Sequence, residues 1–384
     1  MKVSTCINCG QYKYIEDKGH CRDCLKEEKI NLGLSKNDEP IVLNDKQVFR
    51  NIGISGEKKK KKTTLTNYIS DQIMNDYNIL YINFDNDVSS SEFNNSLKEI
   101  DFDKEFGFRL LDTVRDKTDK NYVPEVKSIA NEISTVISKK SDGYISPKQM
   151  VILENVLQII IDSNETDSFS DVKDCLTDNK KRTKIYNNSK TNLNLDSRIL
   201  NEKINLGENI VSIVQKLSEN LDDLISNYRK EIKVKDILHN NSNYIVNFSI
   251  LNKYLTSTIS TLFVKKIFTE IRMGMVKDYN LIFCLDRAGS YIDLSALASE
   301  YRHSRHFNIG FISNFESPVS ISTDTLNNMG VFISFKQSES ARINKTANLL
   351  NVNNDIISTL DKYNYIVSIR NNIIHPKKLD LDRL

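Results

Sequence analysis

A chain of 384 residues has room for two or three average domains, or for one large α/β domain with insertions. Hydrophobic residues at 39% and charged residues at 27% provide for a sizeable core, while a net charge of +2 and a pI of about 8.0 exclude a globally basic nucleic-acid binder, so any basic surface must be local. No apolar run reaches the roughly 18 residues that span a bilayer, and the first residues lack the apolar core of a secretion signal, so the chain is expected to be soluble and cytoplasmic.

In chain order, residues 1–28 form a small cysteine unit. Four of the six cysteines, Cys6, Cys9, Cys21 and Cys24, stand as CxxC…CxxC, whereas Cys175 and Cys284 are isolated. Four thiolates on two knuckles complete a tetrahedral Zn²⁺ site, which predicts a closed structural zinc ribbon in a reducing compartment. The knuckles lie closer together than in the generic zinc pattern but fit a compact ribbon; a redox pair and an iron–sulfur site are the alternatives. So small a unit has almost no core, and the metal would supply its folding free energy. Residues 29–45 read as a polar linker.

A strand is expected over 47–55, followed by the lysine run 58–62. Thr63-Thr64 then opens a helix that places Leu65, Tyr68, Ile69, Ile73 and Tyr77 on one face. A second strand over 78–84 ends at Asp85, giving the strand–loop–helix–strand opening of an α/β domain. Residues of about 90–240 read as an inserted helical subdomain. Ser146-Pro147 starts a helix through Ile161, the polar stretch 162–200 reads as a long mobile loop, and Ile210, Val214, Leu217, Leu221 and Leu224 mark an amphipathic helix. Strands are expected at 244–249, 281–286, 309–314, 331–335 and 365–369, with helices around 252–275, 293–304 and 338–350. Short apolar strands alternating with helices imply a mostly parallel sheet covered on both faces.

The loop after the first strand is close to the phosphate-binding pattern GxxxxGK[ST], in which backbone N–H groups cradle phosphates, the lysine reaches the terminal phosphates and the hydroxyl holds Mg²⁺. Two registers compete. If Gly56 is the first glycine, Lys62 and Thr63 (with Thr64 behind) fall correctly, but Lys61 replaces the second glycine. If Gly53 is the first, Lys59 falls correctly, but Lys58 replaces the second glycine and Lys60 the hydroxyl. The first is preferred because Lys-Thr-Thr-Leu opens the helix naturally. A side chain at the second glycine crowds the tight turn. The alternative is a solvated lysine patch that touches nucleic-acid phosphates or water.

Farther on, the apolar run Leu281-Ile-Phe-Cys-Leu-Asp286 is followed by Arg287, a helix, a basic turn holding Arg302 and Arg305, and a strand ending in Asn314 with Pro318 beyond it. This order resembles the HerA/FtsK superfamily, including the conjugative coupling-protein ATPases. Tyr244-Ile-Val-Asn-Phe-Ser, Phe332-Ile-Ser-Phe-Lys-Gln-Ser-Glu-Ser-Ala and Ser146-Pro-Lys-Gln extend the resemblance, which covers roughly 45–375 and is densest over 244–370. It implies a RecA-like core, often a hexameric ring, that moves DNA with ATP and Mg²⁺. Asp286 would then lie near the Mg²⁺, Arg287 replaces the glutamate that orients water, Asn314 replaces a glutamine that senses the γ-phosphate, and Arg302 and Arg305 fall where basic residues serve a neighbouring subunit's site. An arginine cannot act as the base; Asp85 is the candidate substitute. The expected function is DNA translocation, packaging or transfer with weak or altered ATP hydrolysis. The alternative is a catalytically inactive relative serving as a structural or nucleic-acid-binding subunit, in a mixed ring or a virus- or plasmid-type assembly.

Overall fold

Short apolar runs rich in isoleucine, phenylalanine and leucine supply one large sheet. Its strands are β1 (Ile52–Ser55), β2 (Asn78–Asn83), β3 (Lys98–Asp101), β4 (Tyr244–Asn247), β5 (Leu281–Leu285), β6 (Ile309–Phe315), β7 (Val331–Ser334), β8 (Ile366–Ile369) and β9 (Asn372–Ile374), in the order β9-β8-β7-β1-β6-β5-β2-β4-β3. The structure is a computed structural model that describes residues 2–5, 12–17, 20–21, 28–35, 40–57, 59–84, 88–94, 97–102, 106–113, 115–139, 145–163, 168–189, 193, 207–225, 230–231, 233–238, 243–248, 253–274, 279–361, 364–369, 372–374 and 376–378. From β7 through β1, β6, β5 and β2 to β4 the pairing is parallel, and β8 and β9 continue it antiparallel. Every residue of β1, β2, β5 and β6 is buried, as a parallel sheet covered on both faces requires. The expected α/β class with a mostly parallel sheet is therefore the one found.

Alternate side chains serve opposite faces. On one face Ile52, Ile54, Ile79, Tyr81, Ile282, Cys284, Ile312 and Ile333 share a core with Leu65, Ile69 and Ile73 of helix α1 (Lys59–Ile73) and with Tyr77. On the other, Phe283 stacks on Phe311 at 5.2 Å between ring centroids, and Tyr301 of helix α2 (Ala298–His303) stacks on Phe311 at 4.3 Å.

Three boundaries differ from expectation. Residues 29–45 are not linker: strands Glu28–Ser35 and Pro40–Asn44 pair antiparallel, and Ile30, Leu32, Ile41 and Leu43 join the core beneath α1. A short period-two pattern over residues 30–34 and a three-residue apolar run, 41–43, were hidden there by polar neighbours. The strand expected over 47–55 begins only at Ile52. Asn44 and Gln47 form a capping box for the helical turn Asp45–Val48, and Asn51 then turns left-handed at φ 64°. Helix α1 starts at Lys59, a turn earlier than Thr63.

A second unit comprises residues 100–236 and 248–277. It is mainly helical, and it takes in helix Lys253–Arg272, which the sequence pattern placed among the helices alternating with the sheet strands. Ser146 caps helix Pro147–Ser163 in a reciprocal box with Gln149. Within 162–200, read as a mobile loop, stand helices Phe169–Thr177 and Asn179–Asn188. Phe169, Val172, Cys175 and Leu176 are buried, a helical spacing masked by the polar composition around it. Asp222, on helix Gly207–Ile225, accepts from Ser168 Oγ and from the backbone N–H groups of Phe169 and Ser170 at 2.7–3.0 Å, fixing the start of the first of these helices. Phe102, Phe108, Phe248 and Phe263 form an aromatic cluster with centroids 4.5–6.0 Å apart. No helix among the described residues is long and apolar enough to cross a membrane.

Candidate nucleotide site

The site lies at the carboxyl edge of the parallel strands, where ligands collect in open α/β sheets. β1 ends at Ser55, Gly56 turns the chain, and α1 begins three residues later. A Cβ on Gly56 would stand 2.8 Å from the Cβ of Phe335, so this turn needs a glycine. Gly53 has a different reason. It is in mid-strand, paired with Ser313 and Phe332, and a Cβ there would meet Met329 Sδ at 2.5 Å. It is a packing glycine outside the loop. The arrangement follows the register beginning at Gly56: the buried Lys62 Nζ donates to the Gly56 carbonyl, and Thr63 Oγ1 donates to Asp286 Oδ1 at 3.0 Å. Lys59 is the first residue of α1, and Thr64 is half-buried one residue beyond Thr63. A helix's first turn presents N–H groups that have no acceptor within the helix, which favours an anion there.

Asp286 and Asn314, at or near the ends of adjacent strands, are both fully buried. Asn314 Nδ2 donates to Asp286 Oδ1 and, at 3.2 Å, to Thr66 Oγ1. Its Oδ1 accepts the Arg287 backbone N–H at 2.8 Å. Both ends of the Asn314 amide thus engage protein groups, and the residue straps the β5 corner to α1. Thr66 Oγ1 donates in turn to the Lys62 carbonyl at 2.9 Å.

Arg287 follows in left-handed conformation at φ 47°, with its carbonyl accepting from Ser290 and Tyr291 N–H at 3.0 and 3.3 Å. Its guanidinium carbon is 6.0 Å from the Tyr291 ring centroid, and Tyr291 stacks on Phe84 at 5.2 Å. Burial pushes the Lys62 pKa down to about 8; the charges of Asp286 and Glu316 oppose this, and those of Arg287 and Arg342 add to it. Arg342 bonds Glu316 at 2.9 Å and Glu339 at 2.6 Å. Glu57, just after Gly56, accepts from both the N–H and hydroxyl of Ser338, tying the loop to the approach to helix Ser340–Leu350.

The structure thus brings together Gly56, Lys62, Thr63, Asp286, Arg287 and Asn314. Arg302 pairs with Asp324 through two contacts of 2.7 and 2.8 Å, and Arg305 is exposed in the turn that follows α2. Asp85, Cys6, Cys9 and Cys24 lie outside the described residues, and Cys21 ends the short strand His20–Cys21. Thr66, Glu316, Arg342 and the Glu57–Ser338 tie were missed. Thr66 alone carried a signal, one helical turn after Thr63. The loop glycine, helix start, buried lysine and hydroxyl fit a nucleotide's phosphates, and Thr63 and Asp286 offer hard oxygen ligands of the kind Mg²⁺ takes.

The same fold occurs in solved structures of conjugation proteins. The chain is similar to the unbound conjugative coupling protein TrwB, at 10% identity and a TM-score of 0.62 over 93% of this chain and 90% of that one. Plasmid TrwB in complex with ADP and Mg²⁺ gives 11% identity and 0.62 over 91% and 89%. VirB4 of Thermoanaerobacter pseudethanolicus gives 10% and 0.63 over 92% and 96%. No protein-family model matches the sequence, and no curated protein does. At these identities the likeness establishes the RecA-like fold, and the chemistry rests on the chain's own residues.

Proposed function

We propose that the chain is a HerA/FtsK-type DNA-handling protein that binds ATP and hydrolyses it weakly or by an altered route. The observation that carries this is the Thr63–Asp286–Asn314 hydrogen-bonded set at the head of α1, with Lys62 turned over Gly56. In this reading Lys62 and the first turn of α1 hold the phosphates, Thr63 and Asp286 take Mg²⁺ when it is bound, and Asn314 keeps Asp286 in place. Mg²⁺ would supply charge neutralisation on the terminal phosphates. Arg287 cannot draw a proton from water, so Asp85 is the acid assigned to that task. The likeness to a conjugative coupling protein supports DNA as partner, transfer or packaging as process, and a ring or mixed assembly in which Arg302 and Arg305 serve a neighbour's site. Cys6, Cys9, Cys21 and Cys24 are assigned a structural Zn²⁺, tested by metal analysis of the purified protein before and after Cys21→Ser.

The deciding experiment measures ATP binding and turnover of the full chain with and without DNA, together with its mass in solution. Binding with slow, DNA-stimulated turnover is expected; absence of ATP binding refutes the proposal. A second reading, an inactive relative acting as a structural or nucleic-acid-binding subunit, is favoured by Arg287. It predicts DNA binding that depends on lysines 58–62, falls with salt and ignores ATP.

A further inference from the structure

We infer that Arg342 and Ser338 are positioning residues of the phosphate site: they hold the carboxylates of Glu316 and Glu57, which flank Gly56, away from an incoming triphosphate. The inference rests on the nucleotide-site reading above and specifies what keeps two like charges from opposing the ligand there.

Register places the two acids. β1 and β6 are paired up to Ser55 and Phe315, their last residues. Gly56 and Glu316 come next along the two strands, so Glu316 leaves the sheet beside the turn that opens the loop, and Glu57 follows Gly56 directly. The same turn receives Lys62, whose Nζ donates to the Gly56 carbonyl. Two carboxylates therefore border the lysine that is to meet the phosphates, and a triphosphate there would be repelled by both. The Glu316 charge is felt at Lys62, which it helps to keep protonated.

One short segment restrains both acids. β7 pairs with β1 on the side away from β6, and the chain that leaves it passes close to the loop. Phe335 N–H donates to the Ser55 carbonyl at 2.9 Å, and a Cβ on Gly56 would stand 2.8 Å from that of Phe335. Ser338 then gives its N–H and its hydroxyl to the same Glu57 carboxylate oxygen. Arg342, in the first turn of helix Ser340–Leu350, bonds Glu316 Oε1 at 2.9 Å and Glu339 Oε2 at 2.6 Å. The fully buried Gln337 anchors the segment, its Nε2 donating to the Glu316 carbonyl at 3.5 Å. Glu57 and Glu316 lie 281 and 26 positions from their partners, yet both are drawn to residues 338–342.

Exposure separates the use of these contacts from fold stability. The Arg342 side chain is 26% exposed, that of Glu316 57%, and Ser338 is at the surface. Polar contacts so open to water add little to stability. A free charge at the rim of a phosphate cradle, by contrast, acts on every anion that enters it. Arg342 neutralises Glu316 where it stands, and Ser338 fixes Glu57 on the side of β7.

The test is calorimetric titration of the full chain with ATP and Mg²⁺ at low and high salt. Arg342→Gln, which should unfold at nearly the wild-type urea concentration, should weaken ATP binding about tenfold at low salt, with a smaller deficit at high salt. Adding Glu316→Gln should return the affinity to within about twofold of the wild type, because the freed charge is gone. Ser338→Ala keeps the backbone donor and should lose less, about threefold, and Glu57→Gln should undo that loss. A deficit that persists in the Arg342→Gln/Glu316→Gln protein, or weaker binding by Glu316→Gln alone, overturns the inference, since Arg342 would then act other than by holding an acid. Unchanged affinity in Arg342→Gln overturns it as well and leaves the nucleotide site intact. No ATP binding by the wild type overturns the nucleotide-site reading itself, on which the inference stands.

Discussion

The two halves of the candidate site differ in kind. One half, Thr63, Thr66, Asp286 and Asn314, is buried and linked by hydrogen bonds running from β5 and β6 into α1. The ladder continues below, where Ser70 Oγ donates to the Thr66 carbonyl at 2.8 Å and meets Cys284 Sγ at 3.0 Å. The other half, Glu57, Lys61 and Arg287, is half-buried and charged, and holds two of the three positions, Lys61 and Arg287, at which the sequence differs from the pattern it resembles. The difference separates architecture from chemistry. The first half is needed to join helix to sheet whatever the site does, so it would persist in a chain whose hydrolysis has been altered. The second half is less buried, and of its side chains Glu57 holds Ser338 and Arg287 lies near Tyr291.

That contrast breaks first at Asp286. Asp286→Ala leaves the Thr63 hydroxyl and Asn314 amide without their shared acceptor and removes the larger of the two acidic charges that act on Lys62. Urea denaturation should report a loss of about 3–5 kcal/mol, as for other buried charges stripped of a partner. Asn314→Leu should cost less, about 1–3 kcal/mol, because the Asp286 carboxylate keeps the Thr63 hydroxyl and the other groups left without Asn314 are neutral. If Arg287→Gly costs as much as either, the two halves are not separable.

Lys62 sharpens the contrast in the opposite direction. Its folded pKa of about 8 is below the ordinary 10.5, so protonated Lys62 destabilises the fold. The penalty is full below about pH 8 and fades as pH rises towards 10.5. The net shift already includes the attraction of Asp286 and Glu316. Lys62→Met should therefore stabilise the unliganded protein by on the order of 1–3 kcal/mol at neutral pH while abolishing ATP binding. In the wild type, ATP affinity should fall as pH rises through about 8 and Lys62 loses its proton, with proton uptake on binding near that pH. A destabilised Lys62→Met protein, or a pH-independent affinity, would refute this assignment.

Legibility in the sequence followed the length of the apolar signal. β5 and β6, buried at every position, were readable as strands, and so was the amphipathic helix Gly207–Ile225. Asp286 and Asn314 were found because each stands at or near the end of such a run. What failed was written in polar residues. Strand Glu28–Ser35 carries a short apolar alternation and Pro40–Asn44 a run of three apolar residues, too short to stand out. Helix Phe169–Thr177 depends on Asp222, more than fifty positions away. Asn51 is the clearest case. Its amide donates to the Tyr301 and Asn328 carbonyls at 2.9 and 3.0 Å and accepts from Ser304 Oγ and Phe311 N–H at 3.2 and 3.1 Å, joining three distant segments to the start of β1. No local pattern encodes such a hub. The charge reversal at Arg287 was legible at once, but its bearing on Lys62 was not, since that depends on how β5 and α1 meet.

The smallest expected effect on stability is at Arg302, and it bears on a different question. Its guanidinium bonds both carboxylate oxygens of Asp324, yet each side chain is 54% exposed. An ion pair so open to water and salt contributes at most about 0.5 kcal/mol, so Arg302→Ala should unfold at nearly the wild-type urea concentration. The same protein, assayed for ATP turnover and for mass in solution, then gives an unambiguous reading. An arginine that can be removed without cost to the fold, but whose loss lowers turnover or assembly, acts on something outside its own chain. That outcome would place the basic turn against a neighbouring copy's phosphates and make the ring the functional unit. Unchanged turnover and mass would return Arg302, with the exposed Arg305 beside it, to ordinary surface charge, and would leave Lys62 as the cation assigned to the nucleotide.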